Sequence, residues 1–253
     1  MRLLSRFFIL IFTLSSCKSL DNRARDNAQL HMQLGLSYLE QKNYPLSLKE
    51  LLAAEDADPS DPLVQNNLGL LYFIREKYEL SVKHFSRAYE LNNKFTDAKN
   101  NLARVYIELK QFSIAKRLLD EVLADLTYTN VDKAYMNYGL LEFNRSRFKD
   151  AKVHFKKLLE IDREGCYAQV FLGRTYLELK ENAQAEDQLD KATTFCKPLG
   201  IDDAHYFSAI ALYRSGHRDD SLIRFKELLS LFPDGKYREQ SKKMIDIINK
   251  GTL

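Results

Sequence analysis

The chain has 253 residues, 45% of them hydrophobic and 29% charged. That is apolar material for an extensive core, and it excludes a disordered or low-complexity chain. The net charge is only +3 and the two signs are interspersed throughout, which excludes the basic footprint of a nucleic-acid binder.

Arg2 and Arg6 open the chain, Phe7 to Leu14 is a short apolar run, and the small residues Ser15 and Ser16 follow. A membrane-spanning helix needs roughly 20 apolar residues, so residues 1–16 read as a secretory leader. Leu14-Ser15-Ser16-Cys17 resembles a bacterial lipobox. The resemblance implies cleavage before Cys17, a diacylglycerol on its thiol and an acyl chain on the new amine. At about 0.8 kcal/mol per buried methylene, such chains hold a protein on a bilayer. The alternative is an ordinary leader with an incidental cysteine. Lys18 rather than an aspartate follows Cys17. By the enterobacterial sorting rule this leans toward the periplasmic face of the outer membrane. Residues 17–27 are then a lipidated tether.

From residue 28 the chain repeats itself. Gly35, Gly69, Ala103, Gly139, Gly173 and Ala209 occupy one position, the eighth, at steps of 34, 34, 36, 34 and 36. The repeats are 28–61, 62–95, 96–131, 132–165, 166–201 and 202–235. A second small residue stands at position 20: Ser47, Ser81, Ala115, Ala151, Ala185 and Ser221. Position 24 is large: Leu51, Phe85, Leu119, Phe155, Leu189 and Phe225. Small residues facing large ones let two helices of a hairpin approach closely, and Pro59 and Pro233 mark where helix B must stop. This pattern resembles the tetratricopeptide repeat. The resemblance implies an all-α solenoid of six helix pairs, A and B, in a right-handed superhelix. Residues 236–253 carry an amphipathic stretch that reads as a closing helix.

No motif for chemistry is present: no Gly-rich phosphate loop, no H-E-x-x-H, no G-x-S-x-G and no Cys-x-x-Cys. His31 and His205 share position 4, His84 and His154 share position 23, and His217 lies in a turn, so the repeat accounts for all five histidines. No enzyme, metal, cofactor or small-molecule substrate is expected. Cys166 opens helix A and Cys196 closes helix B of the fifth repeat. An antiparallel hairpin makes those ends neighbours and an exported compartment permits disulfides. They form either a disulfide or two half-buried thiols of unsuitable geometry.

Partners of such solenoids bind along the A helices. Positions 5, 9 and 12 follow i, i+4, i+7 and share a face. They read Met32, Leu36 and Leu39 in the first repeat and Asn66, Leu70 and Phe73 in the second, with Ile74 beside them. The third gives Asn100, Arg104 and Ile107, and the fourth Met136, Leu140 and Phe143. Adaptable methionine and aromatic side chains suit a peptide or helix from another protein. Alternatively, position 12 only pads the interior. Asn67, Asn101 and Asn137 at position 6 offer amides to a partner's backbone. The basic clamp of chaperone-binding repeats is missing, since the matching residues are Met32, Leu36, Asn67, Asp97 and Asn101. The expected groove is Met32, Leu36, Leu39, Asn66, Asn67, Leu70, Phe73, Ile74, Asn101 and Arg104.

Residues 100–162 narrow the choice. The link after the third repeat contains Tyr128, and Asn137-Tyr138-Gly139-Leu140 follows, with a two-residue insertion at the link. With the lipobox, the six repeats and the closing "LFPDGKYREQ", this resembles the PilF/PilW family of type IV pilus lipoproteins. Thr129 stands where that family typically has proline. The resemblance implies a pilotin: an outer-membrane lipoprotein that escorts the secretin subunit and promotes its multimerisation. Two other lipoprotein classes stand beside it. One supports β-barrel assembly, whose repeats often end in F-P-x-[SG]-x-Y, as Phe232 to Tyr237 does once. The other is an adaptor for peptidoglycan hydrolases.

Overall fold

The computed structural model describes residues 23–251. The chain there is helical, with no strand among the described residues. Helix α1 covers residues 23–40. It is followed by α2 (Tyr44–Ala57), α3 (Pro62–Ile74), α4 (Tyr78–Leu91), α5 (Thr96–Glu108) and α6 (Phe112–Ala124). Then come α7 (Val131–Asn144), α8 (Phe148–Ile161), α9 (Cys166–Glu178), α10 (Asn182–Cys196), α11 (Asp203–Arg214), α12 (Arg218–Leu231) and α13 (Arg238–Lys250). A 3₁₀ turn, Lys197–Leu199, extends α10. Odd-numbered helices to α11 are the A helices and even-numbered ones the B helices. Residues 23–27, expected in the tether, already belong to α1. No proline or glycine stops the helix there, and Arg23, Ala24 and Arg25 are good helix formers. The chain forms two compact units that divide between Tyr128 and Thr129, where the two-residue insertion lies.

Each hairpin is built on the small-against-large contact. A Cβ placed on Gly35 would lie 2.7 Å from Leu51 Cγ, and one on Gly69 would lie 2.7 Å from Phe85 Cδ1. The same clash would set Gly139 against Phe155 and Gly173 against Leu189. All six residues at position 20 are fully buried. Two of the serines there donate across the hairpin, Ser81 to the Gly69 carbonyl and Ser221 to the Ala209 carbonyl, both at 2.8 Å.

The A-to-B turn is the same six times. Position 15 is left-handed in every repeat: Lys42, Glu76, Lys110, Ser146 and Lys180 at φ 55–60°, and Gly216 at 88°. In each turn this residue's N–H bonds back three residues and the next N–H bonds back five. In the first repeat these are Lys42 N to Leu39 O at 2.9 Å and Asn43 N to Tyr38 O at 2.8 Å. That pair of bonds satisfies carbonyls that the end of an α-helix leaves open.

Within the first unit, Tyr72 stacks on His84, whose Nδ1 meets Gln65 Oε1 at 2.8 Å, and Gln65 donates to Glu55. Tyr128 is buried and its hydroxyl donates to Asp97. In the second unit, the buried Asp202 accepts from the Tyr237 N–H at 2.9 Å and so ties the approach to α13 onto α11. Helix α13 ends at Gly251, which is left-handed. Cys166 and Cys196 are joined by a disulfide, Cα atoms 5.0 Å apart, packed with Val170, Ala192 and Ala204.

Candidate partner-binding faces

In the first unit, α1, α3 and α5 carry the face expected to bind. Met32 and Leu39 are half-buried and lean on the core of Leu51, Val64, Leu68 and Leu71. Leu36, Leu70 and Phe73 are also half-buried, and Ile74 is 41% exposed. Ile107 is buried, so in the third repeat position 12 does pad the interior. Asn67 and Asn101 are both half-buried, and Asn101 donates to Asn66 at 3.0 Å, which ties α5 to α3. Arg104 lies with its guanidinium 5.8 Å from the centre of the Phe73 ring and pairs with Glu108 at 2.8 Å. Its Nη1 is buried without a hydrogen-bond partner, and burial lowers its pKa. Leu30 and Leu34, at positions 3 and 7 of the first repeat, are 55% and 41% exposed, whereas Val64 and Leu68 at the same positions of the second are fully buried.

The second unit holds a cluster that the sequence reading passed over. Arg174, on α9, sits among three rings: Phe143 from α7 at 5.1 Å, Phe171 at 4.9 Å and Phe207 from α11 at 4.5 Å. Tyr237 stacks on Tyr206 at 4.2 Å and meets Phe207 edge-on. Burial pushes the Tyr237 and Tyr206 hydroxyls up and the Arg174 guanidinium down from their ordinary pKa values. The signal was in the repeat. Position 6 is asparagine in repeats two to four and then becomes Phe171 and Phe207.

The histidines pair or pack with neighbouring side chains. His31 pairs with Glu50 at 2.7 Å, His154 stacks on Tyr138 and His205 meets Phe232 edge-on. No group of three or more His, Cys, Asp or Glu among the described residues is arranged to hold a metal. The B helices offer a different surface. An open groove between α10 and α12 is lined by Glu186, Asp187, Asp190, Asp220 and Glu227, with Arg224 paired across it to Asp190 and along its own helix to Glu227. Among the described residues no helix is long and apolar enough to cross a membrane. Cys17 and the leader lie outside those residues.

Tetratricopeptide-repeat family models match residues 20–62, 32–94 and 72–127. No curated protein sequence matches the chain. Among solved structures, the fold is similar to that of PilW, described as a widely conserved type IV pilus biogenesis factor. The TM-score is 0.76 at 17% identity, over 88% of this chain and 98% of that one. It is similar to PilF of Pseudomonas aeruginosa, with a TM-score of 0.69 at 21% identity, over 88% of this chain and 99% of that one. A chain of the APC/C Cut9–Hcn1 hetero-tetramer superposes at 0.78 with 16% identity, but only 46% of that chain is covered. At these identities the likeness is one of fold.

Proposed function

We propose that this tetratricopeptide-repeat chain is a non-catalytic scaffold of the cell envelope that acts as a pilotin. It would bind the type IV pilus secretin subunit, carry it to the outer membrane and promote its assembly into rings. The observation that supports the reading is the fold match to PilW and PilF, which covers 98% and 99% of those chains and 88% of this one. The lipobox at Cys17 and the insertion at the Tyr128 link point the same way.

The physical logic is simple. Secretin subunits are amphipathic and aggregate when unescorted. A scaffold anchored through acyl chains on Cys17 concentrates a bound subunit at the inner leaflet of the outer membrane, which raises the effective concentration for ring assembly. No bond is made or broken. On this reading Met32, Leu36, Leu70, Phe73 and Ile74 contact the partner. Deleting the gene is expected to abolish heat-stable secretin rings on gels and surface pili in micrographs. Cys17→Ala is expected to give an unprocessed or soluble protein with the same defect. Normal rings and pili in a strain with no second pilotin overturn the proposal and favour a β-barrel-assembly or hydrolase adaptor.

A further inference from the structure

Positions 5, 9 and 12 of the six A helices comprise eighteen residues, and not one is an acid. The only charges among them are Arg104 and Arg174. Both arginines stand at position 9, and both lie against the position-12 phenylalanine of the preceding repeat, Phe73 and Phe143. The two stations differ in how the cation is satisfied. Arg104 has Glu108. Arg174 has no carboxylate within ion-pair distance among the described residues. Glu178 and Asp203 act on it only from farther away, and Asp203 is occupied by the Tyr237 hydroxyl at 3.3 Å and the Lys236 ammonium at 3.7 Å. Three phenyl rings surround the Arg174 guanidinium, their centres 4.5, 4.9 and 5.1 Å from its carbon. Rings stabilise the faces of a guanidinium but accept no hydrogen bond in its plane, so its N–H edges still call for an anion.

We propose that Arg174, framed by Phe143, Phe171 and Phe207, is a docking station for a partner-protein segment that places an aspartate or glutamate beside leucine or aromatic side chains. The carboxylate takes the N–H edge of the guanidinium, in the forked geometry that arginine offers and lysine does not. The neighbouring apolar side chain adds to the half-buried rings. The charge pattern at positions 5, 9 and 12 of the second unit argues for this occupant: Arg174 is the one charge among nine residues, and none is an acid. A basic segment meets Arg174 and no acid at these positions, and a purely apolar one brings the Arg174 edge no acceptor. The inference rests on the reading of the A-helix face as a partner surface, but not on which envelope protein the partner is.

The test is a selection of random 12-residue displayed peptides on the full soluble chain beginning at Lys18, beside the Arg174→Gln and Arg174→Lys variants, with circular dichroism confirming that each is folded. The wild-type pool is expected to be enriched in Asp or Glu flanked by Leu, Phe or Tyr. The Arg174→Gln pool is expected to lose that acid, and the Arg174→Lys pool to keep it at lower affinity. Changing the acid of a selected peptide to its amide should weaken binding to the wild-type chain by about tenfold or more, a measurement that needs no variant at all. A wild-type pool without acid enrichment, an amide peptide that binds as tightly as the acid, or a folded Arg174→Gln variant with an unchanged pool overturns the proposal. Secretin rings lost on gene deletion alongside such a result remove this station and leave the pilotin reading standing. Intact rings with an acid-selective pool do the reverse.

Discussion

Five of the six A-to-B turns place an ordinary L-residue where glycine fits best. Lys42, Glu76, Lys110, Ser146 and Lys180 hold φ between 55° and 60°, and only Gly216 has the freedom that the position asks for. All five are exposed. A left-handed L-residue costs roughly 1–2 kcal/mol, while glycine's extra freedom in the unfolded chain returns about 0.5–1 kcal/mol of that. Each substitution to glycine should therefore stabilise the fold by about 0.5–1 kcal/mol. The five sites lie in different repeats and share no partner, so the gains should add to roughly 2.5–5 kcal/mol in the quintuple variant. Gly216→Ala supplies the mirror control. A Cβ there meets nothing within 4 Å, so its expected loss of about 1 kcal/mol is backbone strain alone. The assay is urea unfolding followed by circular dichroism at 222 nm. With a slope of roughly 2 kcal/mol per molar, one substitution should move the midpoint by about 0.25–0.5 M. A quintuple variant no more stable than the parent, with Gly216→Ala neutral, would refute the reasoning.

Three further outcomes follow from the interior. Ser47 Oγ is buried without a hydrogen-bond partner, whereas Ser81 Oγ donates to the Gly69 carbonyl, so Ser47→Ala should hold or raise the unfolding midpoint while Ser81→Ala should cost about 1 kcal/mol. Burial holds the His84 and His205 imidazoles below their ordinary pKa of 6.5. The unfolded chain therefore takes up protons first, and stability should be full above pH 6.5 and fall as the pH drops toward the folded values; the double His→Gln variant should flatten that fall in pH-dependent unfolding. The Cys166–Cys196 bond closes a segment with a sequence separation of 30, worth roughly 3–4 kcal/mol by the loop-entropy relation, so reduction should lower the melting temperature of the wild type and leave a Cys166→Ser/Cys196→Ser variant unmoved. Non-reduced peptide mapping that finds two free thiols would remove the last of these.

The fold was legible because each repeat states it again. A lone Gly35 carries little information, but six small residues at position 8, six more at position 20 and six large ones at position 24 describe one close-packed hairpin six times over. The structure packs Gly35 on Leu51, Gly69 on Phe85, Gly139 on Phe155 and Gly173 on Leu189. The left-handed turn was not legible. Lysine, glutamate and serine carry no signature of positive φ, and only Gly216 hinted at it. The start of α1 is hidden for a related reason. Residues 23–27 are mostly polar, which suits a tether, yet nothing in their chemistry ends a helix.

The face was harder to read than the fold, because spacing says which residues share a face but not how deep each lies. Met32 and Leu39 share the face with Leu36, yet both also lean on the core, and Ile107 is buried in it outright. Depth depends on the neighbouring helix, which the three-position pattern does not contain. The Arg174 cluster was missed for a different reason. Its parts come from positions 6, 9 and 12 of three consecutive repeats, so no single repeat shows it. Comparing one position down the chain does show it: asparagine at 67, 101 and 137 gives way to Phe171 and Phe207, and the two arginines at position 9 follow Phe73 and Phe143 by the same interval of 31 residues. In a solenoid the departures from the repeat carry the function, because the residues that obey it are already committed to holding one helix against the next.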